Sequence, residues 1–193
     1  MSADGLEQES LQDPKKISRE RVGVELEKML ASRNALLSME LIHDLDLHPL
    51  VFLYDHATLT PESAAPQSVD LSLQASRTLS RLLASPDETL ARLGMTARAS
   101  TDDKKRLFLC AALLPLNDVL VQEKKRELWV GETIVREGIK WPNAERIFAT
   151  RARTAAPVLR GAVRDFASVT SLTGEQRAAL GGCDTAPSTC ALG

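Results

Sequence analysis

Long apolar runs are missing from this chain. No window approaches 18 consecutive apolar residues, which excludes a membrane-spanning helix of ordinary length. Cysteine is sparse, and Cys110, Cys183 and Cys190 form no close pair and no CxxC. That argues against a disulfide scaffold or a zinc ribbon, and a reducing compartment inside the cell is the expectation. His43, His48 and His56 lie five and eight apart, not at the one-face spacing of HExxH, so no metal site is expected. A glycine-rich phosphate loop is lacking as well, because Gly181-Gly182 falls in a stretch of small polar residues rather than between a strand and a helix. The opening MSADGLEQESLQDP is acidic and polar, unlike a secretory signal or an Arg-rich transit peptide. Strand-type alternation persists nowhere for more than a few residues, so the expected fold class is all-α, an irregular helical bundle.

What is present is helical periodicity. With 193 residues, 44% of them apolar and 26% charged, the chain is long enough to bury a core. The pattern divides it into an acidic, disordered lead (1–14), a helical pair (15–54), a loop with two prolines (55–70), a larger helical region (71–170) and a flexible tail (171–193). Ser18 is placed to cap the first helix, with Glu20 in its first turn and Val22, Leu26, Met29 and Leu30 at helical spacing. Asn34 opens a second helix in which Leu37, Leu41 and Leu45 form one stripe, widened by Leu36, Met39 and Ile42, and Pro49 is expected to stop it. Further helices are expected over 69–83, over 87–93, from Asp102-Asp103 to Pro115, through TIVREGIKW, and from Asn143 onward.

Charge is unevenly spread. Residues 1–13 carry four acids and no base, whereas residues 101–165 carry thirteen Lys/Arg against nine Asp/Glu, a net of +4. Such a weak positive field suits a protein that touches phosphates at a few places. Lys15, Lys16, Arg19 and Arg21 gather at a helix start, where free amides already favour an anion. The run Glu123-Lys124-Lys125-Arg126-Glu127 is either a solvated hinge or a patch for an RNA backbone. Arg136 and Lys140 stand four apart on one face, and Trp141 beside them either stacks on a base or, the commoner fate, covers a core edge. Asp44 and Asp46 have a DxD look, but residues two apart on a helix diverge, so they read as a surface turn, with His43 a satisfied boundary histidine. No catalytic constellation is visible.

Two segments carry a resemblance. ISRERVGVELEKMLASRNALLSMELIHDLDLHPLVF (17–52) resembles the neck of class II CCA-adding enzymes, the tRNA nucleotidyltransferases, in which an [IV]SxERI…EL…L helix precedes one ending LHDLGLFxxVF. LLPLNDVLVQEKKRELWVGETIVREGIKW (113–141) resembles the body of the eukaryotic-type members, with its PLxD segment, KK[RK] run and IV[RK]E[SG][LI]K[WL] helix in the same order. The resemblance implies a helical neck and body that hold the tRNA acceptor arm by shape and phosphate contact. It places Ser18, Glu20 and Glu25 in a motif that stabilises the neck, and leaves Lys15, Lys16, Arg19, Arg21, Lys124, Lys125, Arg126, Arg136 and Lys140 as RNA-contact candidates. In that family the nucleotide loop, the DxD metal pair and the EDxxR motif precede the neck, and sixteen residues precede Ile17 here. The expectation is therefore an RNA-binding module without catalytic residues or cofactor of its own, magnesium with CTP and ATP belonging to a separate head. The competing expectation is a helical adaptor in a ribonucleoprotein that docks proteins through the apolar stripes at 36–45 and 155–166. The family's DLGLF stands here as Asp44-Leu45-Asp46-Leu47-His48, with an aspartate in the glycine's place.

Overall fold

The computed structural model describes residues 18–84 and 100–165. The short helix expected over 87–93, the acidic lead and the terminal tail lie outside the described residues. Two compact units divide after Thr150. The architecture is predominantly helical, as expected.

Helix α1 spans Arg19–Ala31 and α2 spans Ala35–Asp44; a short α3 covers His48–Val51, and α4 runs over Asp70–Ala84. The central α5, Thr101–Leu113, is followed by a single 3-10 turn at Leu114–Leu116. Strands β1 (Leu120–Glu123) and β2 (Arg126–Trp129) come next, then α6 (Val130–Thr133), a π-helical turn at Ile134–Gly138, and α7 (Asn143–Asp165). In the first unit α5 packs against α1, α2 and α4, and α4 also packs on α2. Leu30, Leu109, Ala112, Val130, Ile134 and Val135 have no exposed surface at the centre of this core. Burying each large aliphatic side chain stabilises the fold by about 1.5–3 kcal/mol.

The helix starts follow local chemistry. Ser18 caps α1 by accepting from the Arg21 amide, and its hydroxyl donates to Glu20 Oε2 at 2.9 Å. Helix α5 begins at Thr101, just ahead of the acids expected to open it, with Ser100 as its cap. Ser100 accepts from the Asp103 amide at 3.1 Å, and Asp103 accepts from the Ser100 amide at 3.1 Å, completing a capping box. At α5's far end the Leu114 amide donates to the Ala111 carbonyl, and the helix gives way to the turn that contains Pro115, as expected.

Three departures from the expected pattern are informative. The second helix ends at Asp44, not at Pro49: Asp46 adopts φ +52°, and Pro49 lies in the first turn of α3, where a missing amide costs nothing. An aspartate thus supplies the left-handed turn that a glycine supplies in the resembling motif, in keeping with the tolerance of Asp for that conformation. The face that α2 buries is Ala35, Met39 and Ile42, while Leu37, Leu41 and Leu45 are 52%, 47% and 62% exposed. Two apolar stripes share this helix, and packing on α1 and α4 uses only one of them. Finally, residues 120–129 form an antiparallel hairpin, registered Leu120 to Trp129 and Glu123 to Arg126. Short-range alternation there is weak because the strands are four residues long and tertiary contacts hold them. Leu59 bridges to Val121, and the Thr60 amide donates to the Leu120 carbonyl at 3.1 Å.

Both tryptophans are built into this core. Trp129 Nε1 donates to the Leu116 carbonyl at 2.8 Å, and Trp141 Nε1 donates to the Gly23 carbonyl at 2.9 Å. Gly23 is required where α1 meets the chain leaving the π turn, since a Cβ there would collide with the Ile139 carbonyl.

Candidate nucleic-acid interface

The β hairpin sets the site. Its two-residue tip is Lys124-Lys125, and Lys124 takes φ +56°, which brings the strands back on themselves in the smallest possible loop. Lys124, Lys125 and Arg126 are exposed and make no ion pair among the described residues. Three like charges in sequence repel one another, and exposure to water is what makes the arrangement tolerable. Beside the tip lies a concavity of about 660 Å³, to which the hairpin contributes Glu123, Leu128 and the three basic residues. The opposite wall comes from α6 with Glu132, from the π turn with Arg136, and from α7 with Arg146.

Paired carboxylates orient the guanidinium groups of that wall. Arg136 donates to Glu123 Oε2 at 2.7 Å and to Glu137 Oε1 at 3.0 Å, and the Glu123 hydrogen bond holds its pKa above the ordinary value. Arg146 donates to Glu132 Oε2 at 2.6 Å and to Asn143 Oδ1 at 2.8 Å. Lys140, whose φ is +54°, turns its ammonium onto Glu137, and that contact keeps the Glu137 carboxyl below its usual range.

Of the residues singled out from sequence, Lys124, Lys125, Arg126 and Arg136 therefore line one concavity, and Lys140 stands one carboxylate away from it. Arg19 is used differently. Its guanidinium donates to the Gly138, Leu50 and Val51 carbonyls, the last two at 2.9 and 2.6 Å, tying α1 to α3 and to the π turn. Partial burial lowers its pKa. Arg21 is exposed, and Glu25 pairs with Lys28 across one turn of α1 at 2.9 Å. The Glu20 carboxyl lies below its usual range, chiefly through backbone and Ser18 hydrogen bonds, with a smaller contribution from the Lys140 charge. Lys15 and Lys16 lie outside the described residues.

Two sets of residues escaped the sequence reading. Arg146 and Glu132 join the concavity from elements that only folding brings beside the hairpin. The second set is internal. Lys105, 6% exposed, donates to Glu27 at 2.8 Å, and Arg106 donates to Glu145, 5% exposed, at 2.7 Å. Burial disfavours the Lys105 charge, but the Glu27 hydrogen bond and the Glu145, Glu27 and Asp102 carboxylates outweigh it and raise its pKa. The Lys105 ammonium also stands 5.5 Å from the Trp141 ring centre. Glu145, in the first turn of α7, carries no local sign of burial, because its partner Arg106 stands 39 positions earlier.

His43 and His48 are occupied too. His43 meets Asp70 through Nε2 at 2.8 Å and Asp44 through Nδ1 at 3.1 Å, which favours its protonated form and raises its pKa, while burial lowers that of His48, whose Nε2 contacts the Ala112 carbonyl at 2.9 Å. Cys110 packs against the core, and burial pushes its thiol up to about 12, so it is not a nucleophile at neutral pH.

The comparisons with known proteins bear on the class of this helical region. Residues 13–57 match the family described as the probable RNA and SrmB-binding site of polymerase A. The tRNA nucleotidyltransferase cca2 of Schizosaccharomyces pombe is 31% identical over 138 residues, covering 68% of this chain and 26% of that protein. The mitochondrial CCA tRNA nucleotidyltransferase of Candida glabrata is 30% identical over 153 residues, 70% of this chain and 29% of that protein. No solved structure matches the chain. About 70% of the chain is thus a CCA-adding-enzyme-like region, its RNA-binding family match lying in residues 13–57, and the chain spans less than a third of the curated relatives it matches.

Proposed function

We propose that this chain binds tRNA by the backbone of the acceptor arm, with the hairpin tip Lys124, Lys125 and Arg126 as its principal phosphate contact. The chemistry of CCA addition is supplied by a nucleotidyltransferase head, in the same polypeptide or another, together with magnesium, CTP and ATP. The observation that carries this reading is that three consecutive cations at a hairpin tip are exposed and make no ion pair among the described residues, inside a region similar to tRNA nucleotidyltransferases. A duplex RNA is read mainly through phosphates and 2′-hydroxyls, so contacts of this kind confer affinity without base preference. Replacing Lys124, Lys125 and Arg126 together by Ala is expected to weaken binding to all tRNAs alike and to lower the slope of log K against log salt by about two. Unchanged affinity and slope in a titration at two salt concentrations would remove the hairpin from the interface.

A second reading is favoured by a separate observation. The exposed stripe Leu37, Leu41 and Leu45, on α2 and its C-cap, suits a helical adaptor that docks other proteins of a ribonucleoprotein. In that case L37S/L41S/L45S would abolish partner capture and leave tRNA affinity as it was.

A further inference from the structure

The concavity beside the hairpin has a mixed lining that a phosphate ridge alone does not explain. Were it a seat for duplex backbone only, carboxylates in its wall would oppose the ligand. Yet Glu123 and Glu132 both line it. Each uses Oε2 to hold an arginine, Arg136 in one case and Arg146 in the other, and the Oε1 atom of each makes no hydrogen bond among the described residues. The two guanidinium groups are thus fixed in orientation before any ligand arrives, and Leu128 adds an apolar surface between the cations. At about 660 Å³ the space lies within the range of small-ligand sites.

We propose that this concavity accepts one unstacked nucleotide of a single-stranded RNA segment whose base carries an exocyclic amino group. The proposal rests on the RNA reading above and narrows it. The phosphate of that nucleotide meets Lys124, Lys125 and Arg126, and its base lies on Leu128 against a guanidinium plane, as bases do in single-strand binders. The amino group donates to Glu123 Oε1 or Glu132 Oε1. Adenine, cytosine and guanine each carry such a group, and uracil does not. A carboxylate placed to accept from an amine therefore disfavours uracil, whose ring carbonyl in that position would face a negative oxygen.

The test is fluorescence anisotropy of the full chain with labelled eight-nucleotide oligo(C) and oligo(U), beside an RNA duplex of equal phosphate count. Oligo(C) is expected to bind about tenfold or more tightly than oligo(U), the effect of one hydrogen bond to a charged group. In E123A/E132A, checked by its thermal unfolding, that preference is expected to fall below about twofold. Equal binding of the two oligomers by the unaltered chain would overturn the proposal with no variant needed. Binding of duplex and tRNA without binding of either oligomer would also overturn it while sparing the acceptor-arm reading, and failure of every RNA to bind would end both.

Discussion

At the start of α5, Lys105 and Arg106 sit against Glu27 and Glu145 with almost no water around the lysine, whereas at the tip of the hairpin Lys124, Lys125 and Arg126 face solvent and make no ion pair among the described residues. Both are short basic runs next to an acid or two, and by composition they are alike. What separates them is the distance in sequence to their partners. Lys105 finds Glu27 78 residues away, and Arg106 finds Glu145 39 residues on. Once desolvated, such charges must be paired, because an isolated buried charge costs several kcal/mol. The hairpin cations have no such obligation and keep their capacity to meet a ligand. Charge that is already spent on the fold cannot be counted toward a binding surface.

The comparison can be broken most forcefully at Glu145. E145A leaves Arg106 and part of the Lys105 charge uncompensated, and it is expected to cost about 3 kcal/mol in urea unfolding. By contrast, the triple alanine variant of the hairpin tip is expected to change stability by less than about 0.5 kcal/mol. Equal losses in the two variants would mean that the hairpin, too, is structural.

Arg19 tests the boundary between the two classes, since it was an RNA-contact candidate and donates to three carbonyls instead. R19A is expected to cost about 2 kcal/mol, the size of a hydrogen bond from a charged donor, and to leave the salt slope of tRNA binding unchanged. A smaller loss with a shallower slope would return Arg19 to the interface.

The caps give smaller effects. S100A removes a full capping box and is expected to cost about 1 kcal/mol. S18A is expected to cost less, because the Arg21 amide lies 3.5 Å from the Ser18 hydroxyl against 3.1 Å for the corresponding bond at Ser100. Thermal unfolding of the two variants side by side decides the order.

The two histidines sharpen the contrast between exposed and buried charge through their opposite signs. His43 has its pKa raised from 6.5 by Asp70 and Asp44, so its contribution is complete below that value and is lost as pH rises through the folded pKa. His48 has its pKa lowered by burial, so its neutral form stabilises above 6.5 and is lost as pH falls through the folded pKa. H43Q is therefore expected to lose stability relative to the parent at pH 5.5 more than at pH 8. Unfolding curves of that variant with the same offset at both pH values would show that the His43–Asp70 contact carries no protonation-linked energy.

How far the chain could be read in advance follows from the range of the forces. Ser18 and its acid, the arrest near Pro115 and the run of α7 from Asn143 all rest on bonds between near neighbours, and each was legible. The left-handed turn at Asp46 was less so, because an aspartate in place of a glycine does not announce its φ. On α2 the two leucine-bearing faces look equally able to enter a core. Packing against α1 and α4 chose Ala35, Met39 and Ile42, and no local propensity distinguishes the choice. The hairpin was missed for a similar reason, as four-residue strands are held by a bridge to Leu59 more than by their own alternation.

The sequence by itself determined that the chain would be mainly helical, where most of its helices would begin, and which residues carry the likeness to tRNA nucleotidyltransferases. Helix period and capping act over three or four residues, so they are written where they act. Only the tertiary structure decided which bases are spent and which are free. Gly138 reaches Arg19 across 119 positions, and Arg146 comes to face the hairpin tip only after α6 and the π turn are in place. Pairing energy depends on proximity and on the loss of water, and neither is a property of one residue and its neighbours.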